Sequence, residues 1–212
     1  MYKFIFTIVV VAIVNVLPLI GKPHLILHPK MIFILVAALS MWLTQPLFTF
    51  RETTDNKGTD KFSVLLILIA SFISIVWSEA EWAYINNASS GNTILTAAGF
   101  IMVTGGIALR IWAIIVLGSH FTVTVRLNEE HRVISKGPYA VLRHPSYSGA
   151  FFAITGSAFF LNAVSAIFIS IIAMIIAYYF RIKSEEKLLT DYFGKSYTDY
   201  ARNKKRLIPF IW

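Results

Sequence analysis

The chain alternates long apolar runs with short polar breaks, and the run lengths predict helices that cross a membrane. A crossing helix needs about 20 apolar residues, with a range of roughly 17–25. Runs of this kind fall at about 3–20, 31–50, 62–84 and 93–117. A further run, Tyr147 to Phe180, is too long for one crossing and is interrupted at Leu161-Asn162, where Asn suits a turn. It predicts a tight helical hairpin with arms at about 147–161 and 163–182. At the helical rise, the first arm would be only about 22 Å long, which calls for tilt, a thinned bilayer or shielding by neighbours. The expected fold class is therefore all-α: a polytopic membrane protein of about six segments, folded as one membrane domain over 1–212. Asn15 and Pro18 interrupt the first run, and no small-residue cleavage pattern follows before Lys22-Pro23-His24. A retained span is expected there rather than a cleaved leader.

Composition supports this reading. Of 212 residues 57% are hydrophobic and 14% charged, against roughly 25% charged in a soluble domain. A net charge of +8 would suit nucleic acid, but its placement speaks for membrane topology. The loop 118–146 carries Arg126, Arg132, Lys136 and Arg143, and the tail 181–212 carries eight more of the 19 basic residues. The loop 85–92 has none. The positive-inside rule then places both basic regions, and both termini, in the cytosol. The basic excess is expected to serve orientation and attraction to anionic lipids, with no nucleic-acid partner. The chain contains no cysteine, which excludes disulfides, thiolate metal sites and cysteine nucleophiles. Its five histidines are scattered rather than spaced as ligands on one helix, so no metal is expected. No glycine-rich nucleotide loop follows a strand.

Candidate chemistry gathers in the last third. Gly137-Pro138 forces a turn, and His144-Pro145 ends any short helix before the hairpin begins. Tyr139 and Arg143, four apart, would share one face of such a helix. Singly, each suits an interfacial anchor as well as a site. The whole run between two proline turns is harder to explain as an anchor. Arg181 and Glu185 are also four apart, and an isolated exposed pair of this kind contributes only about 0.3–0.5 kcal/mol. A second carboxylate at Glu186 adds repulsion, so one Glu is expected to turn inward and bind hydroxyls while the other faces solvent or a lysine. Arg110, inside the fourth run, either snorkels to the interface or lines a cavity. The tail from Tyr197 through Lys204-Lys205-Arg206 to Trp212 reads as a basic amphipathic segment that returns to the membrane surface.

With those residues in view, the stretch from about 100 to 212 resembles the isoprenylcysteine carboxyl methyltransferase family, relatives of the phospholipid methyltransferases. The resemblance is carried by Leu109-Arg110-Ile111-Trp112-Ala113, His131 to Tyr139, Arg143-His144-Pro145-Ser146-Tyr147-Ser148-Gly149, Arg181-Ile182-Lys183-Ser184-Glu185-Glu186 and Leu207-Ile208-Pro209. It implies S-adenosylmethionine as methyl donor, held in a cytosolic pocket made by a core at 93–212, with the spans of 1–92 forming an acceptor tunnel. Donor contacts would fall on His131, Arg132, Val133, Ile134, Tyr139, His144, Pro145, Ser146, Tyr147 and Glu185. Arg181 and Arg110 would meet the acceptor, and Arg181 and His144 would be the catalytic candidates. The implied acceptor is lipophilic, a prenylated cysteine carboxylate or another lipid oxygen. Phospholipid N-methylation is the alternative within the enzyme class. A non-catalytic transporter or lipid-binding scaffold is the alternative outside it, although clustering of the polar groups in one half disfavours transport.

Overall fold

In a computed structural model, residues 2–44, 60–89, 91–118 and 133–208 are described. The described residues form seven α-helices: α1 (Tyr2–Val16), α2 (Pro29–Leu43), α3 (Asp60–Ala80), α4 (Thr93–Leu117), α5 (Pro145–Leu161), α6 (Val164–Phe193) and α7 (Lys195–Arg202). Among the described residues, three helical stretches are long and apolar enough to cross a membrane: Phe62–Ile85, Thr93–Leu117 and Val164–Phe193. The second of these has the expected bounds, whereas α1 and α2 are shorter than the runs that predicted them. Pro18 closes the first run as a tight turn, Leu17–Leu19, and the predicted end of the second, 45–50, lies outside the described residues.

The hairpin is present, with Asn162 at its tip in the left-handed conformation (φ 59°). Its side chain also ties the tip to the start of α4. Asn162 Nδ2 donates to Thr96 Oγ1 (2.6 Å), and Asn162 Oδ1 accepts from the Asn92 amide (2.7 Å). Asn92 in turn caps α4, its Oδ1 accepting from the Ile94 and Leu95 amides. The second arm does not stop at 182. Leu, Lys and Glu favour helix, so α6 runs on to Phe193, about 45 Å at the usual rise and longer than the roughly 30 Å hydrocarbon layer. Its apolar part ends at Phe180, and the charged turns from Arg181 onward extend beyond it.

Two contacts fix the hairpin against the rest. α4 and α5 approach until their backbones touch. A Cβ on Gly106 would lie 2.6 Å from the Gly149 carbonyl oxygen, and one on Gly99 would lie 2.1 Å from the Phe160 amide nitrogen. Small residues permit this approach between membrane helices. On the other side α3 packs along α6. The Glu81 carboxylate accepts from the Ser165 amide (3.1 Å), the Ser165 hydroxyl (2.6 Å) and the Ala166 amide (2.8 Å), capping α6 from another helix. Ala150, Phe151, Met174, Ala177, Tyr178, Ile182 and Leu207 form an apolar layer with Ala70, beneath the charged end of the hairpin.

Candidate active site

The charged end of the hairpin is built from three chain segments. Gly137 takes φ +58°, a region open to glycine, and starts a tight turn over Gly137–Ala140 that buries Pro138 and Tyr139. That turn ends before Arg143, so Tyr139 and Arg143 do not share a helical face as expected. Residues 142–144 instead lie beside 205–206, with one parallel bridge between Leu142 and Lys205. The Arg143 amide donates to the Lys205 carbonyl (2.8 Å) and the His144 amide to the Arg206 carbonyl (3.1 Å). Pro145 then opens α5 at its first position, where a missing N–H costs nothing. The third segment is the turn of α6 that carries Arg181, Glu185 and Glu186.

These segments join their side chains into one network. Arg181 Nε donates to the Tyr147 hydroxyl (2.9 Å), which donates to Glu185 Oε2 (2.6 Å). Arg181 Nε lies 3.7 Å from the same carboxylate oxygen. His144 is buried between the two glutamates. Its Nδ1 is 3.8 Å from Glu185 Oε1, and its Nε2 is 3.3 Å from Glu186 Oε1. A carboxylate only accepts, so Nε2 carries the proton in that contact. Glu186 Oε1 also accepts from Arg143 Nη1 (2.7 Å), and Glu186 Oε2 accepts from Arg206 Nε and Nη2 (both 3.1 Å). The rings of His144, Tyr147 and Tyr178 stack in succession, with centroids 5.6 and 5.2 Å apart.

Glu186, expected to face solvent or a lysine if Glu185 turned inward, is instead a hub for two arginines and a histidine. Of the two expectations for Arg110, snorkelling to the interface and lining a cavity, the first does not hold. Arg110 is 3% exposed, with Nη1 donating to the Ser146 carbonyl (3.1 Å) and Nε to Thr44 Oγ1 (3.4 Å). It thereby bridges α4, α2 and the first turn of α5. Val133 and Ile134 are half-buried, and Pro145 and Ser146 are buried at the start of α5. His131 and Arg132 lie outside the described residues.

Several phenols border the network. Burial pushes the Tyr139 hydroxyl above the ordinary tyrosine range, with Glu185 and Tyr200 adding to the shift and Arg110 opposing it. Burial likewise pushes Tyr200 up to about 12, against the pull of Arg143. Both stay protonated at neutral pH and serve as donors or aromatic walls, not as bases. The Tyr200 hydroxyl indeed donates to the Tyr139 carbonyl (2.9 Å) and lies 3.3 Å from that of Leu142. Tyr178, Tyr200 and Arg206 were not singled out from sequence as site residues. Their part depends on long-range packing that local spacing does not reveal.

Among the described residues, an all-helical architecture, three helices apolar enough to cross a membrane and a charged network at the end of a hairpin define a helical membrane protein with a polar site. Residues 98–191, which include α5 and most of the network, match the model of the isoprenylcysteine carboxyl methyltransferase family. Among its relatives is protein-S-isoprenylcysteine O-methyltransferase B of Arabidopsis thaliana, 36% identical over 118 residues, covering 53% of this chain and 58% of the relative. The Rattus norvegicus protein-S-isoprenylcysteine O-methyltransferase is 35% identical over 124 residues, covering 56% of this chain and 43% of the relative. The chain thus spans about half the length of these relatives. A solved structure described as the eukaryotic intramembrane Ras methyltransferase ICMT shares the fold, with a TM-score of 0.59 and 24% identity. The superposition covers 96% of this chain and 74% of that one.

Proposed function

We propose that the protein is an integral-membrane methyltransferase that uses S-adenosylmethionine to methylate the carboxylate of a lipophilic acceptor, with prenylated cysteine as the leading candidate. The observation that carries this reading is the Arg181–Tyr147–Glu185–His144 network, assembled within the region matched to the family.

The network fits a polar, cationic donor. Two buried atoms beside it have no hydrogen-bond partner: Arg143 Nε and the Tyr197 hydroxyl. An unmatched buried donor is costly, and a ligand that supplies an acceptor removes that cost. Bound there, S-adenosylmethionine would supply a methyl group on a sulfonium, which leaves as a neutral thioether. Glu185 would accept hydrogen bonds from ribose hydroxyls, in place of the Tyr147 hydroxyl it accepts from here. The face of Tyr139 would border the cation, while Tyr147, stacked between His144 and Tyr178, would contribute its hydroxyl. Val133 and Ile134, together with His131 and Arg132, would flank the adenine, and His144 to Tyr147 would hold the donor's remaining polar edge.

An acceptor carboxylate is ionised near neutrality, so no residue has to remove a proton from it. Arg181 would hold that carboxylate by a charge-assisted bond, and Arg110 would hold the backbone at Ser146 in register. What remains is proximity and exclusion of water. The acceptor's hydrocarbon part would lie among the helices of 1–92. A cavity of about 320 Å³ between α1, α2 and α3, lined by Val14, Trp42, Leu68, Ile69, Ser71, Phe72 and Ile75, supports that division. The donor site would face the cytosol, as the basic loops suggest.

The test is calorimetric titration of the detergent-purified protein with S-adenosylhomocysteine, followed by transfer of labelled methyl to a prenylcysteine acceptor. Micromolar binding that Glu185→Ala loses is the expected result. Folded protein that binds nothing would sink the donor site, while binding without transfer would remove prenylcysteine as acceptor.

A further inference from the structure

We propose that residues 203–208 form a positioning strap, acting through Arg206 on Glu186 and His144, that sets one wall of the donor site. The inference rests on the donor-binding reading above and concerns a segment beyond the family-matched region.

The strap is fastened along its length. The carbonyls of Lys205 and Arg206 take the amides of Arg143 and His144. The Leu207 carbonyl accepts from the Ser148 hydroxyl, and Lys204 Nζ donates to the Ala140 carbonyl. Leu207 is buried in the apolar layer with Tyr178 and Ile182. A basic tail that only anchors to lipid headgroups would leave its backbone and its arginine to solvent. Here both are turned onto the protein.

The residues immediately before α5 need this partner. The amides of Arg143 and His144 lie ahead of a proline-started helix, and buried backbone donors must be matched. The strap matches both and so fixes where the His144 ring projects. Arg206 adds a second restraint. Two of its N–H groups converge on Glu186 Oε2, leaving Oε1 to Arg143 and His144. Glu186 therefore has a separate partner for each oxygen, and the imidazole is held from its backbone and from its Nε2 edge. His144 stacks on Tyr147, whose hydroxyl donates to Glu185. A shift of the strap is thus transmitted to the carboxylate proposed to hold the donor. Arg206 acts through Glu186, which makes it a positioning residue.

The experiment is a cycle of Arg206→Ala, Glu186→Gln and the double variant, titrated with S-adenosylhomocysteine alongside Arg206→Lys. Arg206→Ala is expected to weaken binding about tenfold and Glu186→Gln at least as much, with the double variant no weaker than Glu186→Gln alone, because that variant already loses the Arg206 contact along with those to Arg143 and His144. Arg206→Lys should fall between Arg206→Ala and wild type. Wild-type affinity in Arg206→Ala, or single effects that multiply in the double variant, would overturn the proposal. Amide hydrogen exchange tests the strap even if the wild type binds no donor analogue. Arg206→Ala should speed exchange at Arg143 and His144 while leaving the hairpin tip at Asn162 unchanged. Unaltered protection at 143–144 would equally overturn it.

Discussion

Two closely spaced pairs of glutamates lie in this fold, and the protein treats them in opposite ways. Glu79 and Glu81 sit at the end of α3 and in the turn that follows. Glu81 spends its carboxylate on the first turn of α6, a helix terminus that favours negative charge. Glu79 is fully buried, and neither of its oxygens has a hydrogen-bond partner. Glu185 and Glu186 are partly open and are surrounded by Arg143, His144, Tyr147, Arg181 and Arg206. The first pair is closed structure. The second is ringed by cations and hydroxyls that can exchange partners, which is what binding a polar ligand requires. Sequence distance between the carboxylates does not separate the two cases. The company each helix brings does.

The contrast breaks most sharply at Glu185. Glu185→Ala removes the acceptor of the Tyr147 hydroxyl and the nearby anion of Arg181. Affinity for S-adenosylhomocysteine should fall by about a hundredfold or more, as expected for lost hydrogen bonds to a charged group. Circular dichroism should show an unchanged helical fold. A binding isotherm like that of the wild type would mean that the second pair is closed structure as well.

Much of this was legible in the chain, for identifiable reasons. Apolar run length located α4 and the hairpin, and the single Asn at 162 marked its tip. Motif spacing brought out His144, Tyr147, Arg181 and Glu185, which the fold joins in one network. Glu186 was legible as a carboxylate but not as a hub, because two of its partners, Arg143 and Arg206, come from segments remote in sequence. The Lys204-Lys205-Arg206 run had the composition of a lipid anchor, and only the parallel pairing with 142–144 shows its other use. The glycines of α4 and α5 gave no signal in a hydropathy pattern, since their role is to be absent where two backbones meet.

Those glycines offer the next test. Gly106→Leu would drive a side chain into the Gly149 carbonyl and the Ala153 amide, which are backbone atoms with little room to yield. A loss of about 2–3 kcal/mol is expected in denaturant unfolding, in the upper range for overpacking. Donor binding should weaken with it, because Gly149 lies one turn past Ser146 on α5. Full stability with full binding would show that α4 does not set the position of the second pair. Glu81→Ala sharpens the comparison from the other side. It removes the cap of α6 and should cost about 1–2 kcal/mol, the usual effect of deleting a cap. Because the cap is at the opposite end of α6 from Glu185, donor affinity should stay within about twofold. A large loss of affinity would tie the two pairs together through α6.

The smallest effect is expected at Glu79→Gln. A charge at a fully buried position without a partner would meet a desolvation penalty that no Coulombic attraction offsets. A neutral isostere keeps the volume and forfeits no hydrogen bond, since Glu79 accepts none. Its amide donors even gain the chance to pair with a neighbouring acceptor. Stability should therefore shift by no more than about 0.5 kcal/mol in either direction, within the range of changes that touch no specific feature. The same substitution at Glu186 replaces a carboxylate that holds two arginines and should be plainly worse for donor binding. Thermal unfolding of Glu79→Gln beside the wild type decides the matter. A drop equivalent to several kcal/mol would mean that Glu79 holds a charge with a partner of its own. The two pairs would then differ in what they bind, and no longer in whether they bind at all.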